Sequence, residues 1–404
     1  MSQLLINRSP DLKQLRDEGY SIKVREGYLF VENIPYVTPQ REIKRGTIIT
    51  KLILAGDRTA KPEWHVAYFV GEYPCNADGS PIEKIRNSSP HHELAPGVFV
   101  DHMFSAKPIA PKNGYDNYYE KVMTYVAAIA GQAQAINHAV KPNEFLPIED
   151  CLDDPVFNYF DSASSRAEIG AVTQRLAIDN VAIIGLGGTG AYILDFVAKT
   201  PVKRIHIFDG DTFYQHNAFR APGAPSLEDL QAQPKKTSYL RNIYSRMHRG
   251  IIEHDFYIAA ESIEQLNCMN FVFLCLDHGE IKRTIIAYLL QRDIPFIDVG
   301  MGLYMNEDDK SLAGQLRVTT VTSQKSDHIK NRIPLSDNMA PNEYSTNIQI
   351  ADLNALNAVL AVIRWKKMFG FYSNIEKEHN CTYILDGNRL LNEDKMSYGA
   401  PEKN

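Results

Sequence analysis

Asp209, Asp211, Asn217 and Arg220 stand together in "FDGDTFYQHNAFRAPGA", residues 208–224, directly after the apolar run "RIHIF". Two acids, an amide and a guanidinium at a strand end can hold hydroxyls, order a turn and neutralise phosphate oxygens. Upstream, "VAIIGLGGTGAYILDFVAK" sets Gly185, Gly187, Gly188 and Gly190 between a strand and a helix. Glycines at such a junction allow a tight turn and close backbone approach, and the helix start offers unpaired N–H groups to a phosphate. The loop and Asp209 alone leave the nucleotide open, because a dinucleotide dehydrogenase also places a ribose-binding acid about 20 residues past its glycines. A nicotinamide-dependent oxidoreductase and a nucleotide-binding scaffold without catalysis are therefore rival readings.

Hydride transfer has no need of a second acid, an amide and an arginine beyond the ribose acid. Adenylation of a carboxylate does need them, since attack on the α-phosphate builds negative charge that a guanidinium, an ammonium and a metal can stabilise. Asp211 has a structural rival role, capping the turn.

The elements that must position these groups follow from the apolar pattern. From about residue 178, "VAIIGL", "RIHIFDG", "NFVFLCLD" and "IPFIDVG" alternate with helices, one from Ala191 and one from Lys236. This alternation predicts a parallel sheet wound with crossover helices. Ile350, Leu353, Leu356, Leu360 and Ile363 recur at helical spacing and predict a long packed helix. Earlier, β-rich runs such as "GYLFVENIPYV" and "GTIITKLIL" are followed by the helical segment "YYEKVMTYVAAIAGQAQAI". The Pro-rich stretch "HAVKPNEFLPIEDCLDDP" reads as a linker.

The run "GLGGTG", Asp209-x-Asp211, Asn217, Arg220, "AQPKK" and "FLCLDH" resembles the ubiquitin-activating enzymes and their bacterial relatives, the ThiF and MoeB adenylyltransferases. The family pattern has Asn eight and Arg eleven residues after the first Asp, a lysine in a Gln-Pro-Lys-like context, matched by Lys235, and a metal acid in an "Asp-Cys-Thr-Asp" context, matched by Asp277 of "Leu-Cys-Leu-Asp". The resemblance implies an α/β fold: a Rossmann-like ThiF-type adenylation domain with a largely parallel sheet over residues 146–404, preceded by a smaller α+β domain over 1–145. It further implies ATP and Mg²⁺, with Asp209 on the ribose, Asn217, Arg220 and Lys235 facing the phosphates, and Asp277 holding Mg²⁺.

The implied partners are a ubiquitin-like protein with a C-terminal glycine and a second copy of the chain in a homodimer. Family members often complete the site with an arginine from the second subunit, just before the glycine-loop strand; Arg166, at an expected helix start, is the candidate, and Arg175 the weaker rival. Five residues after Asp277, where the family has arginine, this chain has Lys282, with Arg283 next to it. The N-terminal half resembles, in arrangement, a domain fused to some bacterial ThiF proteins that travel with ubiquitin-like proteins. It could bind the partner, carry a thiol or contact a conjugating enzyme.

Many ubiquitin activators pass the adenylated glycine to a cysteine thiolate. The segment expected to cross the site, residues 321–346, contains no cysteine. The chain then either stops at the adenylate or uses Cys75, expected in a turn, or as second choice Cys381; Cys268 and Cys275 are expected to be packing residues. The His65, His91, His92, His102, Glu93 and Asp101 group lacks a recognisable metal-ligand spacing. Asn347, Gln349 and Asp352 are expected to cap the long helix or to guide a partner's tail.

At 404 residues and 44% hydrophobic content the chain can bury two cores. Its 43 basic and 49 acidic residues give a net charge of −6 without a basic block, which argues against nucleic acid. A charged N-terminus and no long apolar run argue against a secretory signal or membrane span, and five scattered cysteines fit a cytoplasmic setting.

Overall fold

The computed structural model describes residues 2–89, 91–108, 114–147, 156–167, 169–277, 279–335 and 348–395. The chain divides into two compact units, one of residues 1–155 with 159–168 and one of 156–158 with 169–404.

Among the described residues the first unit is a six-stranded sheet, paired antiparallel throughout, in the order Ser21–Arg25, Tyr28–Val37, Ile43–Lys51, Val66–Val70, His102–Ser105, Arg86–Ser88. The expected helix forms over Tyr118–Ile136, its first turn capped by Asn117, whose side chain accepts from the Glu120 amide. Tyr125, Ile129 and Ala130 on its inner face pack on Leu29, Val31, Phe69 and Phe104 of the sheet. Alternation along the strands presents one face to this helix, the arrangement of an α+β layer pair.

The second unit is built on an eight-stranded sheet in the order Ile251–His254, Arg204–Phe208, Asn180–Ile184, Phe271–Leu274, Phe296–Met305, Leu312–Val321, Asn380–Ile384, Arg389–Glu393. The first five strands are parallel, as the alternating pattern predicts. The last three each pair antiparallel with the strand before them, so the sheet is mixed. Asn180–Ile184 is buried along its whole length, and its residues alternate between two cores: Val181 and Ile183 face one, Ala182 and Ile184 the other. A strand buried on both faces reads as a continuous apolar run. Helix Gly188–Val197 and the long helix Ala351–Met368 pack together on the first face, and helix Gly279–Gln291 covers the second.

Strand order reverses after Ile251–His254, when the chain returns to pair Phe271–Leu274 with the other edge of Asn180–Ile184. Open α/β sheets bind ligands at the carboxyl ends of the strands flanking such a reversal.

Candidate functional site

The glycine loop leaves Asn180–Ile184 at that reversal. Gly185 takes φ +90°, a left-handed conformation, and a Cβ there would stand 2.4 Å from the Cys275 carbonyl oxygen, past the end of Phe271–Leu274. Only glycine meets both demands without strain. The helix runs from Gly188, three residues before the expected start at Ala191, with Gly187 as its N-cap. A Cβ on residue 190 would lie 1.9 Å from the Gly185 carbonyl oxygen, and one on residue 188 would lie 1.9 Å from Asn354 Nδ2. The loop is therefore a bare cradle of backbone over a helix start, which fits a phosphate chain.

Asp209, at the end of Arg204–Phe208, is buried and accepts from the Leu186 amide at 2.7 Å and the Asp211 amide at 2.8 Å. It shapes the glycine loop from beneath, and a carboxylate's remaining lone pairs stay available to a ribose hydroxyl. Asp211 is exposed; it takes a hydrogen bond from Lys236 Nζ at 2.6 Å and a short one from the Tyr257 hydroxyl. Partial burial pushes the Asp211 carboxyl up, but the Lys236 and Tyr257 hydrogen bonds outweigh it and hold it below the usual range. The same bond pushes the Tyr257 hydroxyl up to about 12.

Lys235 and Lys236 make different contacts. Lys235 is exposed and its Nζ donates to the Gly210 carbonyl at 2.6 Å, whereas Lys236, the first residue of helix Lys236–Tyr244, is buried against both acids. Asn217 is buried and its Oδ1 accepts from the Tyr214 amide at 2.8 Å, closing the first turn of the short helix Gln215–Ala218. That turn carries Arg220 toward the glycine loop: its carbonyl accepts from Asn354 Nδ2 at 3.3 Å, and Asn354 Oδ1 accepts from Thr189 at 3.0 Å. Arg220 Nε is buried with no hydrogen-bond acceptor among the described residues. An orphaned guanidinium N–H on a residue whose backbone is tied through Asn354 to the glycine loop fits a phosphate oxygen.

Asp277 is exposed, two residues beyond the Cys275 carbonyl that abuts Gly185. It lines a cavity of about 520 Å³ shared with Lys282, Arg317 and Arg332. Of the two cations after it, Lys282 turns inward, 2.9 Å from fully buried Asp298, which also takes Arg317 at 2.6 Å. Arg283 points outward and bonds the Leu335 carbonyl. An exposed carboxylate at the strand ends suits Mg²⁺, which is commonly held by one or two carboxylates together with substrate phosphates.

Other expected residues lie elsewhere. Arg166 belongs to the first unit; it ends the helix Ser162–Arg166 instead of starting one, and its guanidinium lies 5.5 Å from the Phe145 ring centroid. Arg175 donates to the Gly370 carbonyl at 2.5 Å. Cys75 is buried at 1% exposure, bridged to Val37 and Pro81 and packed against Ala133, and burial pushes its thiol up. The expected turn therefore closes over it. Cys381 lies on strand Asn380–Ile384 in the main core, its thiol pushed up to about 11 by burial, and burial raises Cys275 as well. Cys268, expected to pack, is exposed, because it falls in the turn before its strand. Cys151 and Asn347 lie outside the described residues. Among the described residues, no group of three or more His, Cys, Asp and Glu is arranged to hold a metal, and no helix is long and apolar enough to cross a membrane.

The site's supports Lys236, Tyr257 and Asn354 escape sequence reasoning. Lys236 alone has a signal, its place next to Lys235 in "AQPKK".

Residues 10–162 match a domain of unknown function (DUF6791), and residues 163–391 match the ThiF family. No curated protein matches the chain. Among solved structures, Escherichia coli MccB with MccA-N7isoASN is 16% identical, covers 58% of this chain and 70% of its own, and has a TM-score of 0.44. E. coli MccB with ATP is 16% identical, covers 57% and 67%, and has a TM-score of 0.44. PaaA is 16% identical, covers 55% and 75%, and has a TM-score of 0.41. Because the ThiF match takes in more than half of its residues, on a mixed α/β sheet with a glycine loop at the strand reversal, the chain belongs to the ThiF family.

Proposed function

We propose that this chain adenylates the C-terminal glycine carboxylate of a ubiquitin-like protein. A carboxylate oxygen attacks the α-phosphorus of ATP, the bond from that phosphorus to the bridging oxygen breaks, and pyrophosphate leaves. The attacking carboxylate is already ionised at neutral pH, so no general base is needed. Positioning and charge stabilisation supply the rate. Backbone amides of the glycine loop receive the phosphates, Asp209 holds the ribose, and Arg220 and Lys235 meet the charge that develops on the phosphate oxygens. Asp277 would hold Mg²⁺, which supplies further charge neutralisation there.

The observation that carries this reading is Arg220: its Nε is buried without an acceptor among the described residues while its backbone is tied through Asn354 to the glycine loop.

ATP–pyrophosphate exchange, measured with candidate ubiquitin-like proteins ending in glycine, tests the activity. Exchange that depends on the glycine terminus supports it; none with any candidate, from a chain that binds ATP, sinks it. The burial of Cys75 and Cys381 supports release of the product as the adenylate. A reducible adduct lost in Cys75→Ala or Cys381→Ala would overturn that point.

We also propose a homodimer in which Arg166 completes the partner copy's site. Mixing Arg166→Ala subunits with Asp277→Ala subunits then restores part of the activity; no rescue in a demonstrated mixed dimer refutes it.

A further inference from the structure

The first unit contains a cavity of about 360 Å³, within the roughly 300–1,000 Å³ range of small-molecule sites. Lys121, on helix Tyr118–Ile136, lines it at 2% exposure. Its Nζ donates to Thr50 Oγ1 at 2.6 Å and to the Trp64 carbonyl at 2.8 Å. An ammonium has three N–H donors, and among the described residues these two neutral oxygens are its hydrogen-bond acceptors. No ion pair reaches it among those residues, and Glu63, the carboxylate on the cavity wall, is exposed.

A buried cation without a counter-charge is costly, and the cost shows as a lysine pushed down to about 8 by burial. A structural lysine on a helix would be expected to reach solvent or a carboxylate. Lys121 instead lies on the wall of a cavity that Lys51 also lines, and the Lys51 Nζ lies 4.9 Å from the Trp64 ring centroid. Trp64, half exposed, stands on the wall with Tyr28 and Tyr68.

We propose that this cavity binds a small aromatic carboxylate, its charge on the Lys121 ammonium and its ring against Trp64 and the tyrosines. One spare buried N–H suits a carboxylate oxygen better than a phosphate dianion, which calls for several donors. The aromatic wall selects a flat apolar body. The site uses none of the glycine-loop residues and does not rest on the adenylation reading.

The chain has two tryptophans, and Trp365 is fully buried in the other unit, so a ligand-dependent change in emission reports on Trp64. The full chain is titrated with 4-phenylbutyrate and with the neutral 4-phenylbutanol, and binding is checked by calorimetry. The expected result is saturable binding of the carboxylate at least about tenfold tighter than the alcohol, falling about tenfold or more in Lys121→Met. Equal affinity for the two compounds, no saturable binding of the carboxylate, or undiminished binding in a folded Lys121→Met overturns the proposal. Should that variant unfold, the comparison of the two compounds on the native chain decides.

Discussion

Lys236 Nζ lies 2.6 Å from Asp211 Oδ2 and 3.7 Å from Asp209 Oδ2, with its side chain 7% exposed. Its neighbour Lys235 is exposed and its Nζ donates to the Gly210 carbonyl. Adjacent lysines thus stand in different surroundings: one balances the acids beside the loop, the other lies at the surface, where the proposed function sets it against a phosphate.

Lys236→Met strands buried Asp209 without its cation and should destabilise the second unit by about 3 kcal/mol. Lys235→Met should leave the melting temperature unchanged and lower ATP–pyrophosphate exchange by roughly 10²–10³-fold. Thermal melts paired with exchange assays check both; the reverse pattern would exchange the two roles.

Gly190→Ala places a methyl group 1.9 Å from the Gly185 carbonyl oxygen. The expected outcome is loss of ATP binding by calorimetry together with a destabilisation of about 1–3 kcal/mol from overpacking. Gly56→Ala serves only as a contrast in packing, since nothing lies within 4 Å of a Cβ there, although its φ of +66° carries backbone strain.

Asp298 is fully buried between Lys282 and Arg317. Asp298→Ala leaves those two cations uncompensated and should cost about 3–5 kcal/mol in a denaturant titration. Combining it with Lys282→Met should recover part of the loss, because one stranded charge is removed; additive losses would show that the pair is not coupled.

Burial pushes His248 down to about 4, and its contacts fix the neutral ring: Nδ1 accepts from the Gly250 amide at 3.0 Å while Nε2 lies 2.8 Å from the Val202 carbonyl. Burial also takes His206 and His379 to about 4. The unfolded chain binds these protons near its ordinary pKa of about 6.5 and the folded chain does not. Stability is therefore full above about pH 6.5 and falls as pH drops toward 4, by on the order of 3 kcal/mol for His248 alone. Melting temperature against pH should show this slope, lessened in His248→Gln.

A thiol reagent should label Cys268 in the native chain well before Cys75 or Cys381, since Cys268 is exposed and the other two are buried. Peptide mapping after a short pulse checks the order.

The parts of the site that lie close in sequence were legible, because spacing along a strand and the turn after it fixes geometry. Asp209, Asp211, Asn217 and Arg220 fall at one strand end and in or just after one short helix, and hydrogen bonds tie Asp209 directly, and Arg220 through Asn354, to the glycine loop. Tyr257 and Asn354 arrive from distant elements and carry no local pattern, so only the assembled sheet reveals them. The helix starts at Lys236 as its pattern predicts, but which of Lys235 and Lys236 is buried against the acids depends on Asp209 and Asp211 from an earlier strand end. Cys75 misled for a related reason: its turn-like surroundings are covered by a strand and a helix far away in the chain. The antiparallel extension of the sheet was also hidden, since parallel and antiparallel strands share apolar runs.

The contact between Gly185 and the Cys275 carbonyl has a mechanical consequence. The loop that would cradle phosphates and the loop that carries Asp277 meet at the backbone, with the Leu276 and Cys275 side chains close beside the contact. Their spacing is thus set chiefly by peptide dimensions at Gly185. Under the proposed reading, an acid at Asp277 mounted beside that contact would keep its distance from the glycine loop when side chains elsewhere in the unit are exchanged.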